Sequence, residues 1–194
     1  MAKDFIVAIE LGSSKLTGIA GRKNPDGSIS ILAVAKEDSA SYIRKGVAYN
    51  IERTAQGLSN IVSKLKNTLK TEIEQVYVGI GGQSIHSVKN SIVKELPLDC
   101  IVSQDMVNEL MDTNRSMEYK GCEILDAITQ EYNVDGHYED DPVGIQARHL
   151  EGNFLNVLWR RSFYRNLNKR LDNSGIKVAE MYLAPLTMAH CVLT

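Results

Sequence analysis

Phe5-Ile6-Val7-Ala8-Ile9-Glu10-Leu11-Gly12-Ser13-Ser14-Lys15-Leu16-Thr17-Gly18-Ile19-Ala20-Gly21 is the stretch that decides the fold. Two apolar runs flank an acidic-x-Gly-Ser-Ser turn, the pattern of a strand, a tight turn and a returning strand. Gly12 lets the chain turn where a Cβ would clash, which leaves backbone N–H groups and two hydroxyls free to meet an anion. The carboxylate of Glu10 would repel phosphate directly, but it suits a magnesium ion or its waters. The segment reads either as half of a nucleotide-phosphate clamp or as an ordinary Gly-Ser hairpin turn, and taken alone it fits both.

Working outward, the 194 residues are 43% hydrophobic and 24% charged, a globular balance with material for one large domain or two small ones. A net charge of −2 provides no long-range basic field, so neither nucleic acid nor an anionic membrane is favoured as a direct partner. Cys100, Cys122 and Cys191 are odd in number and widely spaced, with no CxxC pair. That argues against a disulfide framework and a zinc site, and it fits a reducing cytoplasm. The four histidines show no ligand spacing. The apolar run after the first four residues is too short for a signal peptide, and no stretch approaches a membrane span.

After the hairpin, Asn24-Pro25-Asp26-Gly27 signals a turn into a strand over 28–36, followed by a polar, irregular segment over 37–49. Asn50 stands where an N-cap belongs, ahead of a helix to about residue 70. Its apolar positions, Ala55, Leu58, Ile61, Val62, Leu65 and Leu69, recur at helical period. A strand follows over 74–80. Past Gly81-Gly82 the spacing predicts a strand over 87–96, a helix capped by Ser103 to about 117, and two long strands over 122–134 and 147–161. A turn-rich acidic loop over 137–144 separates those strands. Ser162 then opens an amphipathic helix that closes at Gly175, a strand covers 176–183, and Pro185 starts a last helix. That helix reaches residue 194 without a stop signal, so the chain is expected to be the front of a longer protein.

This order of elements resembles the first lobe of the actin/Hsp70/hexokinase superfamily, a ribonuclease H-like α/β fold. The inserted strand-helix-strand-strand α+β module, at this position, resembles that of the FtsA family, actin-like proteins of bacterial cell division. The likeness rests on residues 10–15, Lys45-Gly46-Val47, residues 76–84, 130–136, 141–144 and 173–178, six segments in family order. It implies an actin-like subdomain over 1–83 and 162–194, with the inserted subdomain over 84–161.

The resemblance further implies a two-lobed protein that binds ATP with Mg2+ and polymerises like actin. Such a protein tethers the FtsZ ring to the inner membrane through a C-terminal helix beyond residue 194, and contacts neighbouring FtsA subunits and later division proteins. It would sit on the cytoplasmic face of the inner membrane at the division site. Gly12, Ser13 and Ser14 would cradle phosphate and Lys15 would add a point charge. Glu10 stands where relatives in the superfamily usually place an aspartate near the metal. Its side chain is longer by one C–C bond, roughly 1.5 Å, which points to holding nucleotide more than turning it over. The 194 residues alone would carry one wall of a two-walled site and so negligible ATP affinity. No catalytic constellation is present in the inserted module. Arg161 and Arg165 on one helix face, and Asp140 and Asp141 in the acidic loop, are candidate subunit contacts of opposite charge, or two unrelated solvated surfaces. Competing readings are a pilus-assembly scaffold and a small-molecule kinase of the same superfamily.

Overall fold

The computed structural model describes residues 5–83 and 85–193, so Ser84 and Thr194 of the motifs above, like residues 1–4, lie outside the described residues. The first unit runs to Gln83 and resumes at Arg161; the second is Ile85–Arg160.

In the first unit, β1 (Ile6–Leu11) and β2 (Lys15–Lys23) form the expected hairpin, and β3 (Ile29–Asp38) adds antiparallel to β2. Strict alternation in β1 buries Val7, Ile9 and Leu11 on one face and exposes Ile6, Ala8 and Glu10 on the other. Next come β4 (Ile43–Arg44), β5 (Val47–Ala48) and the helix α1 (Ile51–Leu69). Asn50 caps α1 as anticipated, its side chain accepting the Arg53 N–H at 3.0 Å. The apolar stripe of α1 packs on β2 and β3, with Leu58, Ile61 and Leu65 fully buried. Each such side chain contributes roughly 1.5–3 kcal/mol of transfer free energy. The strand β6 (Gln75–Ile80) pairs parallel with β1.

The second unit holds β7 (His86–Glu95), α2 (Gln104–Arg115), β8 (Cys122–Val134), β9 (His137–Glu139) and β10 (His149–Arg160). Its antiparallel sheet has the order β7-β10-β8-β9. Ser103 caps α2 by accepting the Met106 N–H at 3.3 Å. Val107 and Leu110 of α2 then close a core with Leu150, Phe154, Tyr132 and Val134. Within this unit Asn114 and Asn156 are both fully buried and exchange two amide hydrogen bonds, 2.7 and 2.9 Å long. Asn90 donates to Asn114 at 2.9 Å, and Asn156 donates to the Tyr119 hydroxyl at 3.0 Å. Buried amides are tolerated when paired in this way.

The first unit is completed by α3 (Arg161–Asp172), β11 (Lys177–Leu183) and α4 (Ala184–Val192). Leu167 and Leu171 of α3 are buried, and α3 packs on α1 and β11. The resulting sheet has the order β11-β6-β1-β2-β3, with β1, β6 and β11 parallel.

Four expectations differ. The segment 37–49 is not wholly irregular, because β4 and β5 pair around Lys45 and Gly46, both left-handed at φ 51° and 73°. That is the backbone of a two-residue hairpin turn. The acidic loop contains β9, paired with β8 around Asp135-Gly136, again left-handed at φ 49° and 91°. The last module strand starts at His149 instead of 147, since the Ala147 N–H bonds to the Cys100 carbonyl at 2.9 Å. Finally α3 begins at Arg161, directly after β10, so Ser162 lies inside the helix and Arg161 falls with the first unit.

Candidate functional site

Because β1, β6 and β11 are parallel, their carboxyl ends lie on one edge of the sheet, where ligands of open α/β sheets bind. Leu11 leads there into Gly12, Ile80 into Gly81, and Leu183 into the first turn of α4. A cleft of about 240 Å³ opens at this edge, with Glu10, Gly12 and Ser13 on its wall. Gly46, Gly81 and Gly82 also line it, as do Pro185 and Met188 of α4.

The turn after β1 is fixed from behind. Ser39, fully buried, donates its hydroxyl to the Gly12 carbonyl at 2.6 Å and its N–H to the Ser14 carbonyl at 3.2 Å. Two oxygens that would repel an anion are thereby tied down. A Cβ on Gly12 would stand 2.5 Å from the Lys15 carbonyl oxygen, so the turn admits no side chain there. The Gly46 N–H donates to Ser13 Oγ at 2.8 Å, bringing the β4–β5 turn against it. On its far side the β4–β5 turn meets Gly81-Gly82: a Cβ on Gly46 would lie 2.4 Å from Gly82 Cα, and one on Gly82 2.4 Å from the Lys45 oxygen. Three turns are thus stacked, with the Ser13 hydroxyl joining the first two and backbone meeting backbone between the second and third.

The charge pattern is equally simple. Glu10 is exposed and, among the described residues, is the one charged residue lining the cleft. The α4 helix opens on the cleft with Leu183 at its N-cap and no side-chain cap bond, so the positive end of the helix faces it. Bared backbone, a hydroxyl, an open helix start and a single carboxylate fit a phosphate group accompanied by a magnesium ion. Among the described residues no three acids, histidines or cysteines gather as a metal cluster. An apolar hollow of about 350 Å³ adjoins on the sheet face, lined by Ala8, Ile19, Tyr77 and Tyr182 and sharing Glu10 and Met188. In it, the Tyr182 hydroxyl donates to Glu180 at 2.5 Å, and that bond pushes its pKa up to about 12.

Of the residues singled out in the sequence, Glu10, Gly12 and Ser13 come together in the cleft. Ser14 and Lys15 do not line it; both are exposed, with Lys15 opening β2 opposite Asp38. The sequence reading missed Gly46, Gly81, Gly82 and α4 as cleft walls, although the two glycine motifs stood out. Ser39 carried no signal at all. Among the charged candidates, Arg165 is exposed on α3, whereas Arg161 is half-buried and already engaged. Asp140 and Asp141 are exposed, and Asp141 accepts the Val143 N–H at 3.1 Å.

Residues 82–158 match the family model of the SHS2 domain inserted in FtsA. The chain is 30% identical over 190 residues to the cell division protein FtsA of Porphyromonas gingivalis, covering 96% of this chain and 40% of that protein. For FtsA of Neisseria meningitidis the figures are 26% over 192 residues, 98% and 46%; for FtsA of Escherichia coli K12 they are 24% over 196 residues, 99% and 46%. The chain therefore spans less than half the length of these relatives. A solved PilM-PilN type IV pilus biogenesis complex superposes with a TM-score of 0.57 at 12% identity, over 95% of this chain and 49% of that one, which shows a shared fold. With the inserted module matched by its own family model, and the unit around it aligned with the same division proteins, the chain is similar to FtsA proteins along almost all its length.

Proposed function

We propose that this chain serves bacterial cell division as an ATP-binding, filament-forming adaptor that joins the FtsZ ring to the inner membrane and recruits later division proteins. The observation that carries the reading is the glycine-lined cleft at the carboxyl ends of three parallel strands, in a chain that aligns along almost all its length with FtsA proteins. Bound ATP with Mg2+ would supply the anionic charge that this edge is shaped to accept. The amides of the Gly12–Ser14 turn and the Ser13 hydroxyl would hold phosphate oxygens, and Glu10 would hold the metal's waters. Lys15, at the start of β2, would add long-range positive charge. None of these groups other than Glu10 is a base, which suits retention of nucleotide over rapid hydrolysis.

Among the described residues no helix is long and apolar enough to cross a membrane. Arg165 and Asp140, exposed and opposite in charge, are the stronger pair of candidate subunit contacts; Arg161 and Asp141 already have partners. The test is co-sedimentation of the intact protein with FtsZ on anionic lipid vesicles in the presence of Mg-ATP. FtsZ is expected to pellet only when both the protein and vesicles are present. FtsZ left in the supernatant in the presence of both would instead favour the pilus-scaffold reading, which shares the fold.

A further inference from the structure

Lys45 C=O and Gly46 N–H are the two ends of one peptide group. The N–H end donates to Ser13 Oγ at 2.8 Å, and the C=O end accepts the Gln83 N–H at 3.2 Å. On one side of this peptide, then, is the turn that faces the cleft; on the other is Gly81–Gln83, the connector through which the chain enters the inserted module. Gly46 and Gly82 meet backbone to backbone, both at positive φ (73° and 104°), so nothing compressible lies between turn and connector. Among the described residues Ser13 Oγ accepts this bond and donates none, which leaves its proton for an acceptor in the cleft.

We propose that the Lys45–Gly46 peptide is a hydrogen-bond relay from the cleft to the connector of the inserted module, with Ser13 as its positioning residue. A phosphate oxygen that accepts a hydrogen bond from the Ser13 hydroxyl polarises Oγ, strengthens the bond from Gly46 N–H, and through the same amide strengthens the bond from Gln83 N–H. Rotation of this one peptide would break both bonds together, so the turn and the connector are ordered or released as a pair. The relay follows from the unliganded geometry, while its response to phosphate rests on the nucleotide reading above.

Hydrogen–deuterium exchange resolved to single amides in the intact protein tests the two parts separately. Without ligand, Ser13→Ala should speed exchange at both Gly46 and Gln83 by about tenfold, the scale of one lost hydrogen bond, and leave Gly79 in the β6 ladder unchanged. Ser13→Thr, which keeps the hydroxyl, should restore wild-type rates at both. A rise at Gly46 with Gln83 unaffected overturns the relay, as does a general rise that includes Gly79. Saturating Mg-ATP should then slow exchange at Gln83 in the wild type but not in Ser13→Ala. Protection of residues 12–14 without Gln83 again overturns the relay. Absence of any protection by Mg-ATP, with the unliganded coupling intact, supports the relay and removes the nucleotide reading instead.

Discussion

The actin-like unit and the inserted module keep their polar groups in opposite places. In the first unit the groups available for chemistry are backbone amides, the Ser13 hydroxyl and the Glu10 carboxylate, bared at strand ends where glycines replace side chains. In the module they are side-chain amides sealed inside: Asn114 and Asn156, with Asn90 and Tyr119 at their rim. Unusual residues therefore serve a site in one unit and the fold itself in the other. Substitutions should separate accordingly, with module changes acting on stability and changes at the cleft acting on binding.

The largest expected effect is in the module core. Phe154 is 1% exposed, and Phe154→Ala should cost about 3–5 kcal/mol in denaturant unfolding of the module. Mg-ATP affinity should change little, and a comparable loss of binding would break the contrast. Next, Asn114→Ala strands the buried Asn156 amide and should cost about 2 kcal/mol, again read by denaturant unfolding. In the actin-like unit, Ser13→Ala with Lys15→Ala should leave the unfolding midpoint nearly unchanged while weakening Mg-ATP binding by the intact, full-length protein about tenfold in calorimetric titration. Unaltered affinity would take both residues out of the site.

The smallest effect concerns the β3–α1 surface. Lys64 and then Asn60 hydrogen-bond Glu37 and hold its carboxyl below the usual value. A folded-state pKa that is depressed adds stability above the unfolded value, and that stability is lost as pH falls through the folded one. Since Lys64 is 51% exposed, Glu37→Gln should cost only about 0.5 kcal/mol at neutral pH. The difference from wild type should close in acid, which thermal melts across that range would show.

Much of the architecture is legible because it repeats over many residues. The alternation of β1 and the stripe of α1 fix the faces of the first unit, and Asn50 and Ser103 announce their helices by local chemistry. What escapes is short or nonlocal. The two-residue strands β4 and β5 have no room for a period, and the three residues of β9 are masked by their charge. The start of α3 is set by β10 running straight into it, so a serine that looks like a cap is already inside the helix. At the site, Gly12 and Ser13 can be read from their own turn. Gly46 and Gly82 cannot, because each glycine's necessity lies in the other's backbone, dozens of residues away.

The paired amides of the module have a second consequence. The ladder between β8 and β10 shifts register twice, between Asn153 and Phe154 and again between Val157 and Leu158. Asn156 lies in the short span between those irregularities. A slip of β10 by one residue would turn Asn156 to the opposite face of the sheet, leaving the Asn114 amide N–H buried without its acceptor. The pair thus penalises that misalignment of β10, since both amides are paired in the observed register.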